Sequence, residues 1–188
     1  FELHFNAEPV FVDPGRGAYG ETGEAALYRT GNVHNTLQVD GADPYPPNKP
    51  YYDESFRRHV AGPPPQIVKE MDSIQLSHDG FARLKTVGTI SRHWRFTPPS
   101  MNLSDTVDGR GKHHLSRTLV TPLQVTQTGN EVVLRGQKNE FRLVTNGNVS
   151  IESITRWTAY GRGEPATAIR MTSWETLPWS GSLSLEAV

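Results

Sequence analysis

Apolar and polar residues alternate with period two along almost the whole chain, and no segment sustains the i, i+3, i+4 spacing of an amphipathic helix for three turns. FELHFN sets Phe1, Leu3 and Phe5 against Glu2, His4 and Asn6. PVFVD, TLQVD, SIQLSH, FARLKTV, TISRHWRF, LSRTLVTPLQV, EVVLRG, EFRLVT, VSIESIT, AIRMTSWE and SLSLEAV continue the pattern. A residue pattern that buries every second side chain specifies sheets with one dry face. The 17 glycines and 14 prolines fall largely between these runs, at D-P-G, V-D-G, H-D-G-F, V-D-G-R-G, T-G-N, N-G-N and G-R-G-E-P, which read as turns. The expected fold is all-β: a large antiparallel β-sandwich of roughly a dozen strands, with 1–188 as a single domain. One helical turn is expected at GEAALY, 23–28.

Residues 42–66, ADPYPPNKPYYDESFRRHVAGPPPQ, interrupt the alternation; they are too proline-rich for a central strand and read as a long aromatic loop, a lid or a docking surface. Nineteen basic residues against 20 acidic ones leave a net charge of −1, which argues against nucleic acid or a membrane surface as partner. Two local basic clusters, Arg57-Arg58-His59 and RGKHH at 110–114, are candidates for contact with an acidic partner, although each alone reads as solvated loop charge. Cysteine is absent, which excludes disulfides, thiolate metal clusters and a catalytic thiol. No run of 18 apolar residues exists to form a membrane-spanning helix. A chain opening on Phe1 within a strand pattern is expected to be a piece of a longer protein.

The densest chemistry lies at 11–41, FVDPGRGAYGETGEAALYRTGNVHNTLQVDG. Asp13 follows a strand and His34 precedes one, with a glycine-rich turn, Tyr19 and Tyr28 between them. A carboxylate and an imidazole arriving at neighbouring strand ends can build a metal site or an acid/base cluster. Asp-Pro-Gly is also simply a turn sequence, and a histidine at a strand edge is commonly structural.

This stretch resembles the C-terminal domain of the heparinase II/III-like polysaccharide lyases: a D-x-G turn, a tyrosine-bearing loop, H-N-T, and a strand ending V-D-G. His78 in S-H-D-G-F resembles that family's H-x-G-Y/F turn, and LSDTVDGRGKHHL resembles its D-x-V-x-G-x-G-x-H stretch, although SRHWRF stands where H-R-R is common. The resemblance implies a zinc site to which Asp13 and His34 contribute, completed by a histidine of an H-x-H motif upstream of Phe1. It implies a parent enzyme that cleaves uronic-acid polysaccharide, heparan- or alginate-like, by β-elimination, with most catalytic groups on an N-terminal α-helical domain outside this chain. A periplasmic or secreted localisation is expected, with which the absence of cysteine is compatible.

Within the chain, Tyr19 and Tyr28 are then candidates for proton transfer, and Arg16 and Arg29 for substrate binding and for lowering a tyrosine pKa. Two donors alone should hold zinc weakly, and His4, on the polar face of its strand, is a poor third. The alternative is a non-catalytic carbohydrate-binding or structural sandwich with Trp94, Trp157, Trp174 or Trp179 on sugars, though burial in the core is the expected fate of these tryptophans. An autonomous metal hydrolase would require a ligand set that the sequence does not offer.

Overall fold

The computed structural model describes residues 1–45, 62–129 and 131–188. Among these residues twelve strands form: β1 (Leu3–Phe5), β2 (Glu8–Phe11), β3 (Leu37–Val39), β4 (Gln66–Lys69), β5 (Ser73–His78), β6 (Val87–Thr97), β7 (Ser100–Thr121), β8 (Gln124–Thr128), β9 (Glu131–Arg135), β10 (Glu140–Thr145), β11 (Asn148–Ala159) and β12 (Arg162–Ala187). The β1–β2 hairpin is a separate two-stranded sheet. The rest is one antiparallel ladder in the order β4-β5-β6-β7-β12-β10-β9-β8, with β3 added to β7 and β11 to β12. The single α-helix among the described residues, α1 (Gly23–Leu27), lies where the helical turn is expected.

The ladder becomes a sandwich because its two longest strands fold over. Asp105 and Arg117 both belong to β7, 12 residues apart, and straight strand geometry would separate them by roughly 40 Å. Their side chains are hydrogen-bonded at 2.6 Å. The bend falls at Gly109 and Gly111, whose φ values of +133° and +90° no side-chain-bearing residue adopts comfortably. There β12 slips register between Leu177 and Trp179, and β6 between Val87 and Ile90. The first half of β7 thus pairs with β6 and the end of β12, and its second half with β3 and the start of β12. Val107, Leu115 and Leu177 fill the inside of the bend with Leu37, Val39, Phe81, Val87 and Ile90. Beyond them the main core joins Leu103, Leu119, Phe141, Ile169, Leu183 and Leu185 to Val10 and Phe11 of β2.

Between the two apolar clusters sits a buried charged group. Arg92 of β6 donates to both carboxylate oxygens of Asp105, at 2.6 and 3.0 Å, and Arg117 donates from the opposite layer. Burial pushes the Asp105 carboxyl up, but the two guanidiniums outweigh it and hold it below the usual carboxylate range. One further nitrogen of each guanidinium reaches backbone: Arg92 Nη1 donates to the Asn35 carbonyl at 3.0 Å and Arg117 Nη2 to that of Gly181 at 3.2 Å.

Several expectations need correction. V-D-G-R-G is not a turn between strands but the bend within β7, and AIRMTSWE and SLSLEAV are two parts of one strand, β12. LSRTLVTPLQV is broken at Pro122, where β7 ends and β8 begins two residues later. The start of FARLKTV forms a 3-10 turn, Ala82–Leu84, rather than a strand. The tryptophans divide: Trp94 is buried, Trp157 and Trp179 are half-buried, and Trp174 is 65% exposed. Most of the aromatic loop, with Tyr51, Tyr52, Phe56, Arg57, Arg58 and His59, lies outside the described residues.

Asp105→Ala would leave two buried guanidiniums facing each other, and a loss of about 3–5 kcal/mol of unfolding free energy is expected in denaturant titrations. A loss below about 1 kcal/mol would show that the triad does not hold the layers together.

Candidate functional site

The loop from Asp13 to Asn35 is laid against the outer side of the second layer, and its sequence explains why it can lie so close. The Pro14 carbonyl accepts from Trp157 N–H at 2.6 Å, and Gly17 accepts from Gly161. A Cβ on Gly15 would overlap the Trp157 backbone, and one on Gly17 would overlap its indole ring. D-P-G-R-G is therefore a docking sequence as well as a turn. Gly15 also needs its positive φ of +64°.

Past α1, Tyr28 is buried, 5% exposed, and its hydroxyl donates to the Thr155 carbonyl at 2.6 Å while accepting from Thr155 N–H at 3.0 Å. A 3-10 turn, Gly31–Val33, then delivers His34. Asn35 fixes the position of its neighbour: its amide donates to the carbonyls of Phe1 and Val12, at 2.7 and 3.0 Å, and its oxygen accepts from Val120 N–H at 2.6 Å. One buried side chain ties three backbone segments together beside the histidine.

Asp13 and His34, 21 residues apart in sequence, meet as expected. His34 Nδ1 lies 2.8 Å from Asp13 Oδ2, and His34 Nε2 lies 3.1 Å from the Tyr28 carbonyl. The other Asp13 oxygen accepts from Gly15 N–H at 2.9 Å. Both ring nitrogens thus face acceptors, which favours the doubly protonated imidazolium as long as no metal is bound; to ligate zinc the ring would have to give up one of these protons. The hydrogen bond from His34 holds the Asp13 carboxyl below its ordinary range despite burial. Burial alone would push His34 down; the bond and charge of Asp13 and the Tyr28 carbonyl overcome it and raise its pKa.

The pair stands at the rim of a cavity of about 490 Å³ between the layers. Its walls are the inward faces of β5 and β6, with Ile74, Leu76, Ile90 and Trp94, and its polar floor carries Arg92 and His78. His78 is half-buried, and burial together with the nearby Arg92 charge lowers its pKa.

The family described as heparinase II/III-like, C-terminal, matches over residues 1–179. The chain belongs to that family. No curated protein matches the sequence. Among solved structures, the heparan sulfate lyase HepC from Pedobacter heparinus is similar with a TM-score of 0.74 at 12% identity, over 99% of this chain and 29% of that one. A heparinase III is similar with a TM-score of 0.69 at 16% identity, over 100% of this chain and 29% of that one. At such identities the likeness concerns the fold. This heparinase II/III-like domain spans a little under a third of the enzymes it resembles, at 29% of their length.

The remaining sequence candidates lie away from the cavity lining. Tyr19 is 81% exposed, stacked on Tyr160 with the Arg16 guanidinium 4.9 Å above its ring. Arg16 also donates to the Gly20 carbonyl at 3.1 Å, and Arg29 is paired with Glu21. Tyr28 has the packing role, locking α1 to β11 through both sides of its hydroxyl. His4 is paired with Glu2 at 3.8 Å. Among the described residues no three His, Cys, Asp or Glu side chains are grouped to hold a metal. Asp13 and His34 supply a carboxylate and an imidazole, the donor types zinc prefers, but two donors fall short of the three that a catalytic site requires. What sequence reasoning missed was the support beneath them, Arg92, Asp105 and Arg117.

In chelator-treated protein His34 should titrate above the usual histidine value of about 6.5 by NMR, and Asp13→Asn should bring it down. The stabilisation from raising His34 is fully present below that unfolded-state value and disappears as pH rises through the folded one. That from Asp13 is present above about pH 3.9 and is lost as pH falls through its lower folded value. A His34 titrating at or below the ordinary value would contradict the charged pair.

Proposed function

We propose that this heparinase II/III-like domain is the β-sandwich part of a polysaccharide lyase acting on uronic-acid glycans, heparan- or alginate-like, by β-elimination, and that Asp13 and His34 belong to a zinc site there. The observation that carries the reading is the 2.8 Å contact between Asp13 and His34 at the rim of an interlayer cavity. The residues of the family motif converge there, held by Asn35.

β-Elimination needs a base for the C5 proton, an acid for the leaving O4 oxygen, and positive charge against the uronate carboxylate as the enolate forms. The Tyr28 hydroxyl is spent on Thr155 and offers no free proton-transfer site. Tyr19 is accessible, with the Arg16 guanidinium above its ring, so of the two tyrosines it is the one able to assist. The principal acid and base come, in this reading, from an N-terminal helical domain of the whole protein, and the third zinc donor from an H-x-H segment preceding Phe1. Zinc would neutralise negative charge and fix its ligands; no step in this chain's residues depends on it. The polymeric substrate places the enzyme in the periplasm or outside the cell.

The test compares the 188-residue chain with the whole protein. The chain should release no unsaturated uronate, read by ultraviolet absorbance, from heparan sulfate or alginate, and should bind zinc weakly by calorimetry. The whole protein should bind zinc orders of magnitude more tightly, and Asp13→Ala or His34→Ala should abolish that gain. Turnover by the chain alone would refute the shared active site, and unchanged zinc binding after both substitutions would refute the metal assignment.

A further inference from the structure

Trp174 stands out against the burial logic of the fold, since a tryptophan left 65% exposed in the middle of a strand forgoes much of its apolar burial. Its surroundings are polar and cationic. In the β7–β12 ladder Trp174 is opposite His114 and Thr176 is opposite Lys112. The two rings are tilted together with centroids 5.3 Å apart. Alternation places Lys112 and His114 on the same face as Trp174, while Leu115, Arg117 and Leu177 turn to the interior. Lys112 and Thr176 are exposed, as is Arg110 where β7 bends. The carboxylate bonded closest to this face, Asp40, is occupied by the His113 ring at 2.7 Å and the His114 amide at 2.9 Å.

We propose that Trp174, His114, Lys112 and Thr176 form a second binding platform for an acidic glycan, separate from the Asp13–His34 cavity. A pyranose ring lies flat on the indole; its carboxylate or sulfate meets Lys112 and His114, and its hydroxyls meet Thr176. One indole ringed by a hydroxyl, an ammonium and an imidazole suits a sugar, whereas a stable protein interface needs a much larger contiguous apolar patch. The platform lies six residues along β7 from Val120, which bonds Val12 next to Asp13, a distance of roughly 20 Å. One polymer chain can therefore engage both places through several sugars, raising the local concentration of substrate at the cavity. The acidic character of the ligand rests on the lyase reading; the platform itself rests on Trp174 and its neighbours.

The decisive experiment is calorimetric titration of the chain with a heparan sulfate hexasaccharide, with maltohexaose as the neutral control, at low and high salt. Binding of the acidic sugar alone is expected. Trp174→Ala should weaken it about tenfold or more with an unchanged melting temperature, and Trp174→Phe should retain most of it. Lys112→Ala should weaken it and flatten its salt dependence, whereas Arg162→Ala, which removes an exposed charge elsewhere, should stay within about twofold. Unchanged affinity in Trp174→Ala, no binding by the wild-type chain, or equal losses in Lys112→Ala and Arg162→Ala would each overturn the platform. So would concentration-dependent self-association lost in Trp174→Ala, which would assign the patch to a protein contact. Loss of uronate cleavage in the whole protein with platform binding intact would count against the lyase reading alone.

Discussion

The contact on which the rest of the structure depends is the buried Arg92–Asp105–Arg117 group. Asp105 and Arg117 lie on the two arms of the same bent strand, so their bond closes the bend from the inside. An unpaired charge at that depth would cost several kcal/mol, which favours the closed arrangement, in which Asp105 accepts from both guanidiniums. The third member extends the effect outward. Arg92 donates to the carbonyl of Asn35, whose side chain gathers the backbones of Phe1, Val12 and Val120. His34 is the adjacent residue. The imidazole at the cavity rim is thus positioned by a chain of bonds that begins in the middle of the protein.

Much of this could be read from the sequence, and the failures have physical causes. Period-two alternation located the strands because burial of one face is a local property of each segment. It did not locate the bend, since Gly109 and Gly111 look the same whether a strand ends or folds over; only the partner strands decide between them. SIQLSH and EFRLVT match β5 and β10 residue for residue, while QIVK, which forms β4 at the sheet edge with all four residues exposed, has no buried face to betray it.

The site was legible in part. Asp13 and His34 stood out through motif and chemistry, and their meeting follows from a loop that folds back on Trp157. The triad left a signal that was there to be used: Arg92 sits between Ile90 and Trp94, Asp105 between Leu103 and Val107, and Arg117 between Leu115 and Leu119, each a charge at an inward position of an apolar face. Three such charges of mixed sign in one β domain invite pairing. Trp174 shows the opposite limit. Composition favours burial for any tryptophan, and nothing local distinguishes the one that faces solvent.

The bend in β7 and β12 also bears on how this domain can move. In an ordinary sandwich the layers are joined by loops at their edges and can slide a little over one another. Here two adjacent central strands pass from one layer into the other, so the layers share a spine and have no slip plane at that corner. Asp13 and His34 are tied to that shared spine through the bond of Val12 N–H to the Val120 carbonyl, and not to a layer that could shift by itself.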